Sequence, residues 1–319
     1  MKPHFAIPLF LLGALAIDRA IGFVLTPVAD RVVALQDPSG VAAANWVLAN
    51  RQADVLIFGS SRAKHHFDPQ VLDAKLGVDA SNVGIQARGI RFARMVQSEL
   101  LRKGTRARLF VLQLELAELF DPAPQRAVSL APWYGRSPVV DDILEDSSQY
   151  AWLKLQSHAY RYNGKVLHML RDSRKPSSSP TKGYVALRGS LNDFPERKGR
   201  GALHRRLEQP IPAERGQLYR EFVRAAGEQG IEVAFVIGPR LRPDDPEPDS
   251  QYAAAVQFFQ QLARDEGAHF LPLTDVEYPD FRQPSLYRDW LHLNATGAAL
   301  LSRRLADALR QRDLPGASR

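Results

Sequence analysis

The chain has 319 residues, of which 45% are hydrophobic, and it carries a formal net charge of +7. This composition excludes a disordered or low-complexity protein, and the length suits one large domain or two ordinary ones. The absence of cysteine excludes disulfides, thiolate catalysis and cysteine-ligated metals.

An apolar stretch opens the chain. It runs from Phe5 to Ile17, meets the charged pair Asp18 and Arg19, and continues to Val28. The whole stretch is long enough to cross a bilayer, which takes about 20 residues. A charged pair inside a span costs about a few kcal/mol unless it finds polar partners. We therefore expect this helix to contact something other than lipid.

Three interpretations of this stretch stay open. Residues 14–16, Ala-Leu-Ala, resemble a signal-peptide cleavage site. The stretch also fits an amphipathic core helix of a soluble protein. We favour an uncleaved membrane anchor over residues 1–30, with Lys2 inside and the body exported. An amphipathic connecting helix, broken near residues 37–40, is predicted over residues 31–53.

Strands and helices then alternate. Largely apolar runs predict strands at 55–58, 108–114, 233–239 and 269–273, and a short second strand is predicted at 80–83, ending at Gly84. Helical patterns fall at 68–76, 90–103, 214–227, 250–266 and from 298 onward, and Asn294 suits an N-cap there. This alternation predicts an α/β fold: a three-layer αβα arrangement around a five-stranded parallel sheet of order 2-1-3-4-5.

The alternation lapses after the third strand. Residues 116–212 contain Pro and Gly at intervals that interrupt regular structure, and they include a Ser-rich loop. Some helix is predicted around 147–171. We interpret them as an insertion in a domain of residues 54–319 that caps or flanks a site. Residues 150–210 hold 13 Lys and Arg against 4 Asp and Glu, which suits acidic polymers or anionic lipid. Because no nucleic-acid-binding motif accompanies the charge, we predict no nucleic-acid partner.

Two polar motifs carry the candidate chemistry. The first strand ends at Gly59-Ser60-Ser61, and open α/β sheets place ligands at the carboxyl ends of strands. A serine hydroxyl needs a base, usually an imidazole that a carboxylate orients. The spacing of Asp289 and His292 can supply both, so we predict Ser61 as nucleophile, His292 as base and Asp289 as its partner. Neither a GxGxxG nor a GxxxxGK[ST] motif occurs, so we predict no cofactor.

These motifs resemble the blocks of the SGNH (GDSL-like) hydrolase superfamily. The similarity is greatest to its membrane-anchored envelope branch, which includes alginate O-acetylation proteins and the D-alanyl transfer proteins of teichoic acid assembly. Gly59-Ser60-Ser61 stands at the Gly-Asp-Ser block, and Asp289 and His292 stand at the DxxH block. The resemblance implies that Ser61 and Gly84 donate backbone N–H groups to an oxyanion.

One block departs from that pattern. The family's third block offers an asparagine side chain, whereas this chain has Glu115 at the equivalent position. An ionised carboxylate cannot donate a hydrogen bond, although Gln113 could. Losing one oxyanion donor costs about 100-fold to 1000-fold in turnover.

Several neighbouring residues are weaker candidates. Arg62, Glu115 and Trp290 are predicted to contact substrate. His65 and His66, in a polar stretch, are expected to be solvated, and no metal site is predicted.

The resemblance implies a periplasmic O-acyltransferase or esterase, single-pass in the bacterial inner membrane. Acetyl is the implied acyl group, and an acidic or neutral polysaccharide of the envelope is the implied acceptor. An integral membrane protein that passes the acyl group is the implied partner. Two alternatives stay open: a catalytically inactive SGNH-like module that binds polymer or scaffolds an assembly, and an envelope lipase or thioesterase.

Overall fold

The computed structural model describes residues 3–32, 45, 52–85, 89–119, 127–175, 181–193, 211, 213–241 and 250–314. Most of the predicted connecting helix at 31–53, with its break at 37–40, and the Ser-rich loop of the insertion lie outside the described residues.

The chain divides into two compact units. The first comprises residues 1–49 and 125–179, and the second comprises residues 50–124 and 180–319. About half of the predicted insertion at 116–212 falls in the same unit as the amino-terminal helix.

The second unit is built on a parallel five-stranded sheet. Its strands are β1 (Val55–Phe58), β2 (Ala80–Asn82), β3 (Leu109–Gln113), β4 (Glu232–Ile237) and β5 (His269–Pro272). Their order is β2-β1-β3-β4-β5, and every neighbouring pair is parallel. This confirms the predicted α/β fold and strand order. Phe58 pairs with Leu112, so β1 and β3 end at the same edge.

Helices cover this sheet. They are α2 (Ser61–His66), α3 (Pro69–Leu76), α4 (Ile90–Arg102), α9 (Gln217–Gly227), α10 (Ser250–Glu266) and α11 (Ala295–Gln311). Short 3-10 turns lie at Leu116–Leu119, Leu191–Asp193, Ala213–Gly216, Pro279–Arg282 and Pro284–Leu286. The sequence pattern predicts α3 but not the short α2 before it.

The core of the second unit lies against both faces of the sheet. On one face, Ile57 and Val111 pack with Leu301 and Leu305 of α11. On the other, Phe58 and Phe110 make edge-to-face contacts near Phe222 of α9. Because both faces are covered, the three central strands β1, β3 and β4 are apolar at nearly every position.

The first unit is helical in its described residues. It contains α1 (Pro3–Asp30), α5 (Pro138–Glu145), α6 (Ala151–Lys154), α7 (His158–Tyr162) and α8 (Val166–Asp172), with a 3-10 turn at Ala127–Trp133. Part of α1, Ala6–Asp30, is long and apolar enough to cross a bilayer, with a mean hydropathy of 1.9. Little of this stretch is buried inside the protein, which suits the predicted anchor.

Candidate active site

A sharp bend after β1 presents Ser61. The φ of Gly59 is +140°, and a Cβ there would lie 2.8 Å from Ala63 Cβ and 3.0 Å from the Gln113 carbonyl oxygen. Only glycine fits this position without strain. The bend places Ser61 at the first position of α2, where a backbone N–H has no intrahelical partner.

The loop before α11 brings an imidazole to this serine. His292 Nε2 lies 2.9 Å from Ser61 Oγ. On the other side of the ring, His292 Nδ1 lies 3.0 Å from Asp289 Oδ1 and 3.1 Å from Oδ2. The three predicted side chains therefore form one continuous hydrogen-bonded row, the arrangement that activates a serine hydroxyl.

Backbone hydrogen bonds fix this loop. Arg288 N donates to the His292 carbonyl (2.8 Å), and Asp289 Oδ1 accepts from the N–H groups of Leu291 (2.8 Å) and His292 (2.9 Å). Burial raises the pKa of Asp289, but the hydrogen bonds from His292 and from these N–H groups outweigh it, so the pKa is lowered. Asp289 is therefore an ionised partner that holds the Nδ1 proton of His292.

His65 and His66 are buried, so the expectation that they are solvated is wrong. His66 is fully enclosed, and its Nε2 accepts the backbone N–H of Leu293 at 3.0 Å. Burial, and then the charge of Arg62, hold the pKa of His66 well below its usual value. A neutral His66 therefore accepts at Nε2 and fixes the residue next to His292. No sequence signal separates such a histidine from a solvated one.

His65, next to His66 on α2, also lies beside His292. Its Nδ1 is 2.7 Å from the carbonyl oxygen of Val185, and its ring stands edge-to-face to that of His292. Val185 N also donates to the carbonyl of Lys64, and Ala295 N donates to that of Leu187. Residues 185–187 of the predicted insertion therefore flank the candidate site.

Asn82 connects α2 to the end of β2, a role that no sequence pattern predicts. Its Nδ2 donates to the carbonyls of Ala63 (2.8 Å) and Phe67 (2.9 Å), and its Oδ1 accepts from Gly84 N at 3.0 Å. The N–H of Gly84, predicted to face an oxyanion, is thus bonded to Asn82. No sequence signal indicates Asn82, because β2 has the sequence Ala80-Ser81-Asn82 and a polar residue is not exceptional in it.

The other predicted oxyanion donor also has a local partner. Gln113 Nε2 donates to the carbonyl of Leu114 at 2.6 Å. Glu115 accepts a hydrogen bond from Ser60 Oγ and lies 3.8 Å from a guanidinium nitrogen of Arg62. The second guanidinium nitrogen of Arg62 donates to the carbonyls of Gly238 and Pro239. Arg62 therefore ties α2 to the end of β4.

A second acid lies behind Ser60. Glu118 accepts hydrogen bonds from Ile90 N (3.0 Å) and from Tyr219 (3.3 Å). Its carboxyl packs so tightly against Gly89 that a Cβ there would lie 2.2 Å away. Burial raises the pKa of Glu118 to about 7. Glu118 thus supports the start of α4 beside the candidate site.

Trp290, predicted to contact substrate, is partly buried and packs against the core of the second unit. Among the described residues, no group of three His, Asp or Glu side chains is arranged to hold a metal ion.

Comparison with known proteins finds similarity in solved structures. The crystal structure of an acetyl xylan esterase is 12% identical, with a TM-score of 0.40, over 80% of this chain and 99% of that one. The crystal structure of a carbohydrate acetylesterase from Sinorhizobium meliloti is 13% identical, with a TM-score of 0.35, over 81% and 98%. No protein-family model and no curated protein matches the sequence.

Proposed function

We propose that the protein is a serine esterase or acyltransferase that works through an acyl-enzyme on Ser61. The 2.9 Å contact between Ser61 Oγ and His292 Nε2 carries this proposal, because it pairs a hydroxyl with a base that Asp289 already orients.

The reaction has two halves. His292 Nε2 takes the hydroxyl proton as Ser61 Oγ bonds to the ester carbonyl carbon, and it returns that proton to the leaving alkoxide as the ester C–O bond breaks. Water or an acceptor hydroxyl then attacks the acyl-serine, giving its proton to His292. Cleavage of the bond to Ser61 Oγ restores the serine with that proton.

The oxyanion needs backbone donors. The N–H of Ser61, at the start of α2, suits this role. Gly84 and Gln113 stay predictions, since each would have to leave its present acceptor, Asn82 Oδ1 or the Leu114 carbonyl.

We further propose that α1 anchors the protein in the inner membrane with the body in the periplasm. In transfer, the acceptor is then a hydroxyl of an envelope polysaccharide, and the acetyl group comes from an integral membrane protein. In hydrolysis, the substrate is an O-acetylated polysaccharide. The apolar length of α1, the positive charge of residues 150–210 and the SGNH resemblance support this assignment.

Hydrolysis of 4-nitrophenyl acetate by the full chain in detergent tests the reaction. We expect Ser61→Ala to lower turnover to the rate of the buffer, whereas Ser60→Ala keeps measurable turnover. Circular dichroism shows whether both variants fold. Equal turnover by Ser61→Ala and the unsubstituted protein would remove Ser61 from the mechanism.

One observation favours the inactive-module alternative: Glu115 and the bonded N–H of Gly84 leave fewer free oxyanion donors than the family pattern implies. That alternative predicts no hydrolysis by the unsubstituted protein.

A further inference from the structure

The charged pair of α1 is bound by another part of the first unit. Asp18 Oδ1 accepts from Ser157 Oγ (2.6 Å) and Ala159 N (2.9 Å), and its Oδ2 accepts from His158 N (3.0 Å). Arg19 donates to the carbonyl of Gln156 at 3.1 Å. The carboxylate thus receives the donors that a charge needs away from water.

These contacts fix the depth of residues 156–159. α1 has 28 residues, and a span takes about 20 of them. Every 20-residue stretch of α1 includes Asp18. In each of them Asp18 is at least four residues, or about 6 Å along the helix axis, from the carboxyl end of the stretch. If α1 crosses the bilayer, as proposed above, Asp18 lies in the hydrocarbon region. Residues 157–159 then lie there too.

α7 and α8 continue this contact along α1. A Cβ at Gly22 would lie 2.2 Å from the ring of His158, so the two helices meet closely. Thr26 Oγ1 is 2.9 Å from the hydroxyl of Tyr162. Farther along, Met169 packs with Ala29 in a small buried cluster. The short helices therefore follow the carboxyl-terminal half of α1.

Two helices of residues 150–172, α6 and α8, also carry exposed apolar side chains. The exposed side chains include Trp152 (55%), Leu153 (56%), Leu167 (82%) and Leu170 (40%). A helix such as α8, which packs Met169 with Ala29 of α1 and exposes Leu167 and Leu170, suits a membrane more than water. Residues 150–175 also hold six Lys and Arg against one acidic residue, which suits anionic lipid head groups.

We propose that residues 150–172 are embedded in the bilayer beside α1, in the leaflet at its carboxyl-terminal end. Lipid covers their exposed apolar side chains. A groove between α1 and this segment is lined by Ala14, Leu15 and Leu153 and also by the polar residues Asp18, Arg19, Gln156 and Ser157. The inference rests on the proposed anchoring by α1.

Because the chain has no cysteine, single nitroxide labels can measure this depth. Full-length variants Leu153→Cys and Leu167→Cys are labelled and reconstituted in vesicles that contain anionic lipid. Leu12→Cys on α1 is the membrane reference, and Lys103→Cys in the second unit is the aqueous reference. Collisions with oxygen, which enters lipid, are compared with collisions with a nickel chelate, which stays in water. All four positions are exposed, so the labels leave the packing intact.

We expect the labels at Leu153 and Leu167 to lose access to nickel and gain access to oxygen, as at Leu12. Nickel access equal to that at Lys103, with Leu12 in lipid, would overturn the embedding while α1 stays an anchor. Nickel access at Leu12 as well would overturn both the anchor and the embedding. Shielding from both reagents would place a protein, not lipid, on this surface and would also overturn the proposal.

Discussion

Ser61 Oγ and His292 Nε2 lie 2.9 Å apart, although 231 positions separate them in the sequence. The parallel sheet creates this proximity, because β1 ends at the edge that the loop before α11 also reaches.

The charge of Asp289 is needed to orient and stabilise His292. Asp289→Asn keeps an oxygen for the N–H groups of Leu291 and His292 but removes the negative charge that stabilises the imidazolium. We expect turnover of a small ester to fall by roughly 1000-fold to 10,000-fold while the protein stays folded. Steady-state kinetics with circular dichroism check this. Turnover within threefold of the unsubstituted protein would exclude Asp289 from the triad.

His66 is a positioning residue for the loop that carries His292. His66→Phe leaves the buried N–H of Leu293 without its acceptor, which costs about 1–3 kcal/mol of unfolding free energy. We expect kcat to fall by about 10-fold to 100-fold with little change in KM, because His292 is misplaced but substrate contacts are kept.

His66→Gln is the matched control, since its amide oxygen can accept the same N–H. Partial recovery of kcat relative to His66→Phe is expected. If both variants have the kcat of the unsubstituted protein, the bond to Leu293 does not position the imidazole.

Asn82 holds α2 in place. Asn82→Asp has the same shape, but it loses the two donors to Ala63 and Phe67 and faces their carbonyls with a carboxylate. We expect a loss of about 2 kcal/mol or more in unfolding free energy, measured by urea denaturation, together with a loss of turnover. An unchanged denaturation midpoint would show that α2 does not depend on this side chain.

Glu118 makes stability depend on pH. Its pKa is about 7 in the folded protein and about 4.5 when unperturbed, so the folded state binds its proton more tightly. Stability is therefore lost as the pH rises from about 4.5 through about 7. Glu118→Gln cannot ionise and should lack this loss.

Urea midpoints at pH 5.5 and pH 8 for the two proteins measure this effect. We expect the urea midpoint of Glu118→Gln, relative to that of the unsubstituted protein, to be higher at pH 8 than at pH 5.5. A constant difference between the proteins would show that Glu118 does not titrate in this range.

Much of the sheet could be predicted from the sequence. A strand buried on both faces is apolar along its length, so the runs at 55–58 and 233–239 stand out between polar turns. The sequence also predicts the three candidate catalytic residues, Ser61, Asp289 and His292, because each lies where a strand ends or a capped helix begins.

The supporting residues could not be predicted in the same way. His66 and Asn82 are buried polar groups whose partners, Leu293 and Ala63, are backbone atoms set by tertiary packing. The local sequence does not indicate which backbone atoms will be such partners. Asp18 is intermediate: its place in an apolar helix predicts a polar partner, but only the structure identifies residues 157–159.

Covalent labelling of the intact protein with a fluorophosphonate tests the central claim most directly. An activated serine oxygen bonds to phosphorus as fluoride leaves, and mass spectrometry of the peptides locates the adduct. We predict an adduct on Ser61 that disappears in His292→Ala and persists in Ser60→Ala. An unlabelled protein, or an adduct on Ser60 instead, would contradict the assignment of Ser61 and His292 as nucleophile and base.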